Sequence, residues 1–118
     1  MTVLAGRLLL AALFVVSGIW HAMHFPVSAA YFARLGLPFE YVAAGLTTAF
    51  EVIAGLLLAV GWKTRCVAWA LAAFTLVATA LGHRFWEADP AFFFNQLTHF
   101  LKNLAIVGGL IVLAEKRA

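Results

Sequence analysis

The chain has 118 residues, of which 65% are hydrophobic and only 11% charged, and its mean hydropathy is +1.01. A soluble domain of this size cannot bury so much apolar surface, so the composition predicts an integral membrane protein. The net charge of +3 comes from few, scattered basic residues, which excludes a nucleic-acid-binding protein. The single cysteine excludes an internal disulfide and a C-x-x-C redox pair.

Apolar segments long enough to cross a bilayer occur four times, since a spanning helix needs about 20 mainly apolar residues. These four segments and the short connections between them account for almost all of the sequence, which predicts a single transmembrane domain over residues 1–118. The predicted spans lie at about residues 5–23, 39–60, 66–82 and 90–114.

Three connections join the predicted spans. The first is interpreted as a loop, because it contains Pro26 and ends in Gly36-Leu37-Pro38. The second is a tight basic turn over residues 61–65. In the third, Asp89-Pro90 indicates an N-cap followed by proline at the first helical position, so the fourth span is expected to begin at Pro90.

Basic residues predict the orientation of the spans. They concentrate near the N-terminus, in the second connection and at the C-terminus, and the positive-inside rule places those parts in the cytoplasm. The predicted fold is therefore all-α, an antiparallel four-helix bundle in the bacterial cytoplasmic (inner) membrane with both termini inside. The residues on which this orientation depends are Arg7, Lys63, Arg65, Lys116 and Arg117.

Polar side chains fall at one depth in all four spans. A helix rises about 1.5 Å per residue, so counting about 18–21 Å from the inner basic residues reaches one polar residue in each span. This level lies towards the periplasmic side, and two further histidines lie about one turn above it. The layer consists of His21, Glu51, Thr79 and Lys102, with Asn103 beside Lys102 and with His83 and His99 above.

Each span carries its polar residues on one face, because residues three and four apart are neighbours on a helix. Four such stripes are expected to face the bundle interior, which brings Lys102 towards Glu51. A buried Glu–Lys pair can also serve only to hold the bundle together, and that structural alternative stays open. Gly55, Gly108 and Gly109 are expected to let neighbouring backbones approach closely.

Several short motifs are distributed over nearly the whole chain. They are Gly6-Arg7, Ser17-Gly18, Gly36-Leu37-Pro38, Glu51 with Gly55 ahead of Gly61-Trp-Lys-Thr-Arg65, Ala73-Phe-Thr-Leu-Val-Ala-Thr-Ala, His83-Arg-Phe-Trp86, and His99-Phe-Leu-Lys102-Asn103 followed by Gly108-Gly109. Together they resemble the motifs of the DoxX family of small four-helix bacterial membrane proteins. One position departs from the family pattern, since His21 stands where the family often has lysine, three residues after Gly18.

The resemblance implies a quinone head group or a similar small molecule as ligand, because some relatives are linked to quinone chemistry. Its contacts would be Glu51, Lys102, Asn103 and His21. The leading interpretation is a binding or accessory protein with a redox-associated role, with the bilayer around it and a homodimer or a membrane redox partner left open. A proton-coupled transporter component and a purely structural subunit are the alternatives. No catalytic constellation is evident, so enzymatic activity stays undecided, and no metal site is predicted.

Overall fold

The computed structural model describes residues 2–82 and 85–116, and every regular element in these two ranges is helical. Five α-helices and one short 3₁₀ helix follow each other within the described residues. They are α1 (Thr2–Met23), α2 (Phe25–Arg34), α3 (Glu40–Val60), α4 (Thr64–Gly82), the 3₁₀ helix Phe85–Glu87, and α5 (Pro90–Lys116).

Four of these helices, α1, α3, α4 and α5, are long and apolar enough to cross a membrane. Their surfaces carry many exposed large apolar side chains, such as Leu9, Val16 and Leu46, which is the surface that lipid requires. The prediction of an all-α integral membrane protein is confirmed. The cytoplasmic location of both termini and the arrangement of all four spans in one bundle stay predictions.

The chain forms two compact units, Met1–Lys63 and Thr64–Ala118. In the first unit, α1 packs against α3 and α2 packs against α3. The two long helices run antiparallel, because Gly18 lies against Glu51 and Val52, whereas Gly55, later in α3, lies against Phe14 and Val15, earlier in α1.

The predicted loop between the first two spans is wrong, because most of it is helix α2. Pro26 lies in the first turn of that helix, where the backbone N–H has no intrahelical partner, so proline does not interrupt it. Ser28 and Ala29 are buried. The helix ends at Arg34, shortly before Gly36, which has a positive φ of 84°. The irregular backbone predicted for the whole connection therefore begins only after Arg34.

The end of α3 is also determined by a glycine. Gly61 adopts the left-handed conformation with φ of 84°, and its N–H donates to the carbonyl of Leu57 at 3.0 Å. The guanidinium of Arg7 lies over this turn and donates to the carbonyl of Ala59 at 3.4 Å. The predicted turn after the second span therefore begins where glycine permits it.

In the second unit, α4 and α5 pack against each other. The buried residues of α5 recur at helical spacing, at Val107, Leu110, Leu113 and Ala114, as expected for one packed face. Helix α5 begins at Pro90, as predicted from Asp89-Pro90. Near this end, the rings of Phe85, Trp86, Phe93 and Phe100 form a cluster of edge-to-face contacts.

Candidate functional site

The first unit contains a polar contact between two membrane helices. Nδ1 of His21, in the last turn of α1, lies 2.9 Å from Oε1 of Glu51, in the middle of α3. The Glu51 side chain is only 8% exposed, whereas that of His21 is 34% exposed. One member of the pair is therefore buried in protein, and the other keeps a surface that a small molecule can reach.

Two glycines bring the helices close enough for this contact. A Cβ atom at Gly18 would lie 2.5 Å from Cγ2 of Val52 and 3.2 Å from Cβ of Glu51. A Cβ atom at Gly55 would lie 2.8 Å from Cγ2 of Val15 and 3.1 Å from its backbone nitrogen. Gly18 precedes His21 by about one turn, and Gly55 follows Glu51 by about one turn. Because the two helices are antiparallel, both glycines lie on the same side of the pair, towards the N-terminal end of α1 and the C-terminal end of α3, and they hold the helices together there.

Helix α2 also supports the site, which the sequence analysis did not anticipate. The buried hydroxyl of Ser28 donates to the backbone carbonyl of His21 at 3.4 Å. The ring of Trp20 contacts the His21 ring edge-on at 5.7 Å and stacks on His24 at 4.2 Å between centroids. The signal that could have found Ser28 is its position two turns after His21, but it has meaning only if the segment is read as helix.

A shallow, open groove lies on the surface of α1. Its volume is about 360 Å³, and its lining residues are Leu13, Val16, Ser17 and Trp20. These residues follow each other at a spacing of three and four, so they form one face of the helix. Ser17 is the only hydroxyl-bearing residue in this lining and precedes His21 by one turn. The lining of the groove is therefore almost entirely apolar, and Trp20 at its C-terminal end directly precedes His21 in the chain.

The remaining predicted pocket residues belong to the second unit or lie outside the described residues. Thr79 is buried, and its hydroxyl donates to the carbonyl of Thr75 at 2.6 Å. His99 and Lys102 are exposed and Asn103 is half-buried, and His83 lies outside the described residues. The structure thus joins His21 and Glu51, while the approach of Lys102 to Glu51 stays a prediction.

Comparison with known proteins identifies the family. The model of the DoxX family matches residues 2–84. The chain belongs to the DoxX family. The matched segment of this DoxX protein contains both His21 and Glu51, and it ends before His99, Lys102 and Asn103.

A curated relative extends the similarity of the DoxX protein beyond that segment. The chain is 30% identical over 111 residues to the inner membrane protein YphA of Escherichia coli (strain K12), covering 94% of this chain and 79% of the relative. No solved structure matches the chain. Together with its four apolar helices of spanning length, this similarity places the DoxX protein in the inner membrane as a multi-pass protein.

Proposed function

We propose that this DoxX protein binds a small lipophilic molecule, such as a quinone, at an intramembrane site built on His21 and Glu51. Its role is that of a redox-associated or accessory protein. The observation that carries the proposal is the hydrogen bond at 2.9 Å between the two residues, which joins a buried carboxyl group and a partly exposed imidazole.

Energetic cost supports a functional interpretation of this pair. Ionisable side chains within membrane helices are expensive, and they mark ligand, proton or ion sites by default. Close packing at Gly18 and Gly55 requires no glutamate, because apolar residues fill such contacts equally well. The groove on α1, whose lining ends at Trp20 directly before His21 in the chain, supplies apolar surface of the kind that a site for a lipophilic molecule with one polar group requires.

The proposed pocket also includes residues of the second unit. Lys102 and Asn103 provide ammonium and amide donors suited to carbonyl oxygens, and Thr79, His83 and His99 complete the polar layer expected from helix rise. This part of the proposal rests on the sequence and on the resemblance to the DoxX family. A proton-coupled transporter component is the second candidate, which the His21–Glu51 pair favours because imidazole and carboxyl groups pass protons along membrane relays.

The proposal is tested by identifying lipophilic molecules that copurify with the protein. The protein is extracted in mild detergent, and bound lipids are identified and quantified by mass spectrometry in the wild type, Glu51→Gln and Lys102→Met. Glu40→Gln is the matched control, because it makes the same change at the start of the same helix.

We expect a near-stoichiometric quinone-type lipid in the wild type and in Glu40→Gln, and its loss from Glu51→Gln. Loss from Lys102→Met as well would extend the site to the second unit. Equal lipid content in all four proteins, or none in the wild type, would contradict the proposal. Retained folding without any ligand favours a structural subunit, whereas proton flux in vesicles that disappears in Glu51→Gln favours the transporter.

A further inference from the structure

The two ring nitrogens of His21 have different surroundings. Nδ1 lies 2.9 Å from Oε1 of Glu51, and the ring makes no second hydrogen bond to any residue in the described ranges 2–82 and 85–116. About a third of the side chain is exposed. Nε2 is therefore the polar atom that the pair presents to a ligand, while Glu51 lies behind the ring.

Hydrogen-bond chemistry determines which nitrogen carries the proton. A carboxylate only accepts hydrogen bonds, so a carboxylate at Glu51 requires the shared hydrogen on the nitrogen. Nδ1–H then donates to Oε1 of Glu51. In a neutral imidazole only one nitrogen is protonated, so Nε2 is left with a lone pair that accepts a hydrogen bond.

The surroundings of the ring keep this arrangement in place. Ser28 bonds the backbone carbonyl of His21, Trp20 packs edge-on against the ring, and Gly18 holds α3 against α1 just before it. Reversing the ring would move Nδ1 away from Glu51 and leave a buried carboxylate without its donor, which is costly. The tautomer is therefore imposed by the packing of the unit.

We propose that Glu51 is a positioning residue that acts through His21, and that Nε2 of His21 accepts a hydrogen bond from a hydroxyl group of the ligand. The ligand class is thus a lipophilic hydroxyl donor, the hydroquinone form of a quinone couple, whose apolar part lies along the groove on α1. This inference deepens the proposed function and rests on it.

Binding measurements with three related probes test the ligand class. Purified protein in detergent is titrated anaerobically with a short-chain alkyl hydroquinone, the matching quinone and the dimethyl ether of the hydroquinone. We expect the hydroquinone to bind at least about tenfold more tightly than either of the others, since only it can donate to Nε2.

In His21→Ala this preference should disappear, and in Glu51→Gln it should fall to about twofold, because an amide can also donate to Nδ1. Glu40→Gln should retain the full preference.

Nitrogen NMR of the ¹⁵N-histidine-labelled protein tests the positioning role without any ligand. At neutral pH we expect the His21 ring, assigned by its loss in His21→Ala, to have a protonated Nδ1 and a bare Nε2, and to become a mixture of tautomers in Glu51→Gln. Glu40→Gln should leave the signals unchanged.

The outcomes separate the two claims. If no probe binds, the proposed function fails. If all three probes bind equally or the quinone binds best, ligand binding stands and the hydroxyl-donor inference is overturned. A bare Nδ1, or two protonated nitrogens, in the wild type also overturns the inference, whatever the probes do.

Discussion

In the unit of α1, α2 and α3, a polar contact joins two helices, whereas in the unit of α4 and α5 the buried hydroxyls of Thr75 and Thr79 bond within their own helix. Glu51 of α3 meets His21 of α1 at 2.9 Å. Thr79 and Thr75 of α4 instead donate to carbonyls one turn earlier, at 2.6 and 2.8 Å. Hydroxyl groups that bond their own helix need no partner elsewhere, which is common in membrane helices. A polar pair shared by two helices fixes their register, so the first unit is the better candidate for specific chemistry.

The glycines of the two units also differ, in how closely the facing helix of the same unit approaches them. Gly18 and Gly55 are crowded by atoms of the opposite helix, and their roles as close-approach positions agree with the expectation for Gly55. A Cβ atom at Gly108 of α5 would have no neighbour within 4 Å among the described residues, so Gly108 is not a close-approach position between α4 and α5. A glycine in a membrane helix therefore indicates close packing only when the facing residues are known.

The largest effect on stability is expected from His21→Leu. Removing the imidazole leaves the buried Glu51 without its donor, and breaking a buried pair in this way costs about 3 kcal/mol in the free energy of unfolding. The double variant His21→Leu/Glu51→Leu should recover most of that loss, because apolar replacement of both partners is often neutral. Reversible unfolding in mixed detergent micelles measures both values. A loss below about 0.5 kcal/mol in the single variant would mean that the pair does not join the helices.

A smaller loss is expected from Gly18→Ala. The added methyl group would lie 2.5 Å from Cγ2 of Val52 and 3.2 Å from the Val52 backbone nitrogen, so α3 has to shift, at a cost of about 2 kcal/mol. Gly6→Ala is the control on the same helix, because a Cβ atom there would have no neighbour within 4 Å among the described residues. The same unfolding assay compares the two variants, and equal stability of both would contradict the close contact between α1 and α3.

Thr79→Val should have a minor effect in the second unit. The hydroxyl bonds only the carbonyl of Thr75, which keeps its own helical hydrogen bond, and valine has nearly the same volume. We expect a change of less than about 1 kcal/mol, measured as above. A loss as large as that of His21→Leu would show that Thr79 has an interhelical role comparable to that of the His21–Glu51 pair.

The smallest effect is expected from Gly108→Ala. Alanine fits the open space at this position and favours the helix slightly, by up to about 1 kcal/mol relative to glycine. The variant should be as stable as the wild type or slightly more stable. A clear destabilisation would reveal a close neighbour of Gly108 and remove the contrast with Gly18.

Composition and local signals determined the class of the protein and the ends of several helices. Apolar runs of spanning length require helices in lipid, because every backbone polar group must be paired within the segment. Gly61 and Asp89-Pro90 terminate or begin helices through backbone conformation alone, so neighbouring residues suffice to predict them. Helix rise likewise brought His21 and Glu51 to one depth without any knowledge of packing.

Tertiary structure decided what these residues contact. Helical spacing gives the face of a residue but not the helix opposite it. The hydrogen bond between Glu51 and His21 depends on the close approach of α1 and α3 at Gly18, which spacing alone does not predict, and the approach of Lys102 to Glu51 stays a prediction. Helix α2 was not predicted for the same reason. Proline breaks a helix except in its first turn, which is where Pro26 lies. So short a helix is stabilised by tertiary packing, here against α3. Contacts between distant parts of a chain depend on the shapes of both contacting surfaces, whereas the residue pattern of one helix describes only the surface of that helix.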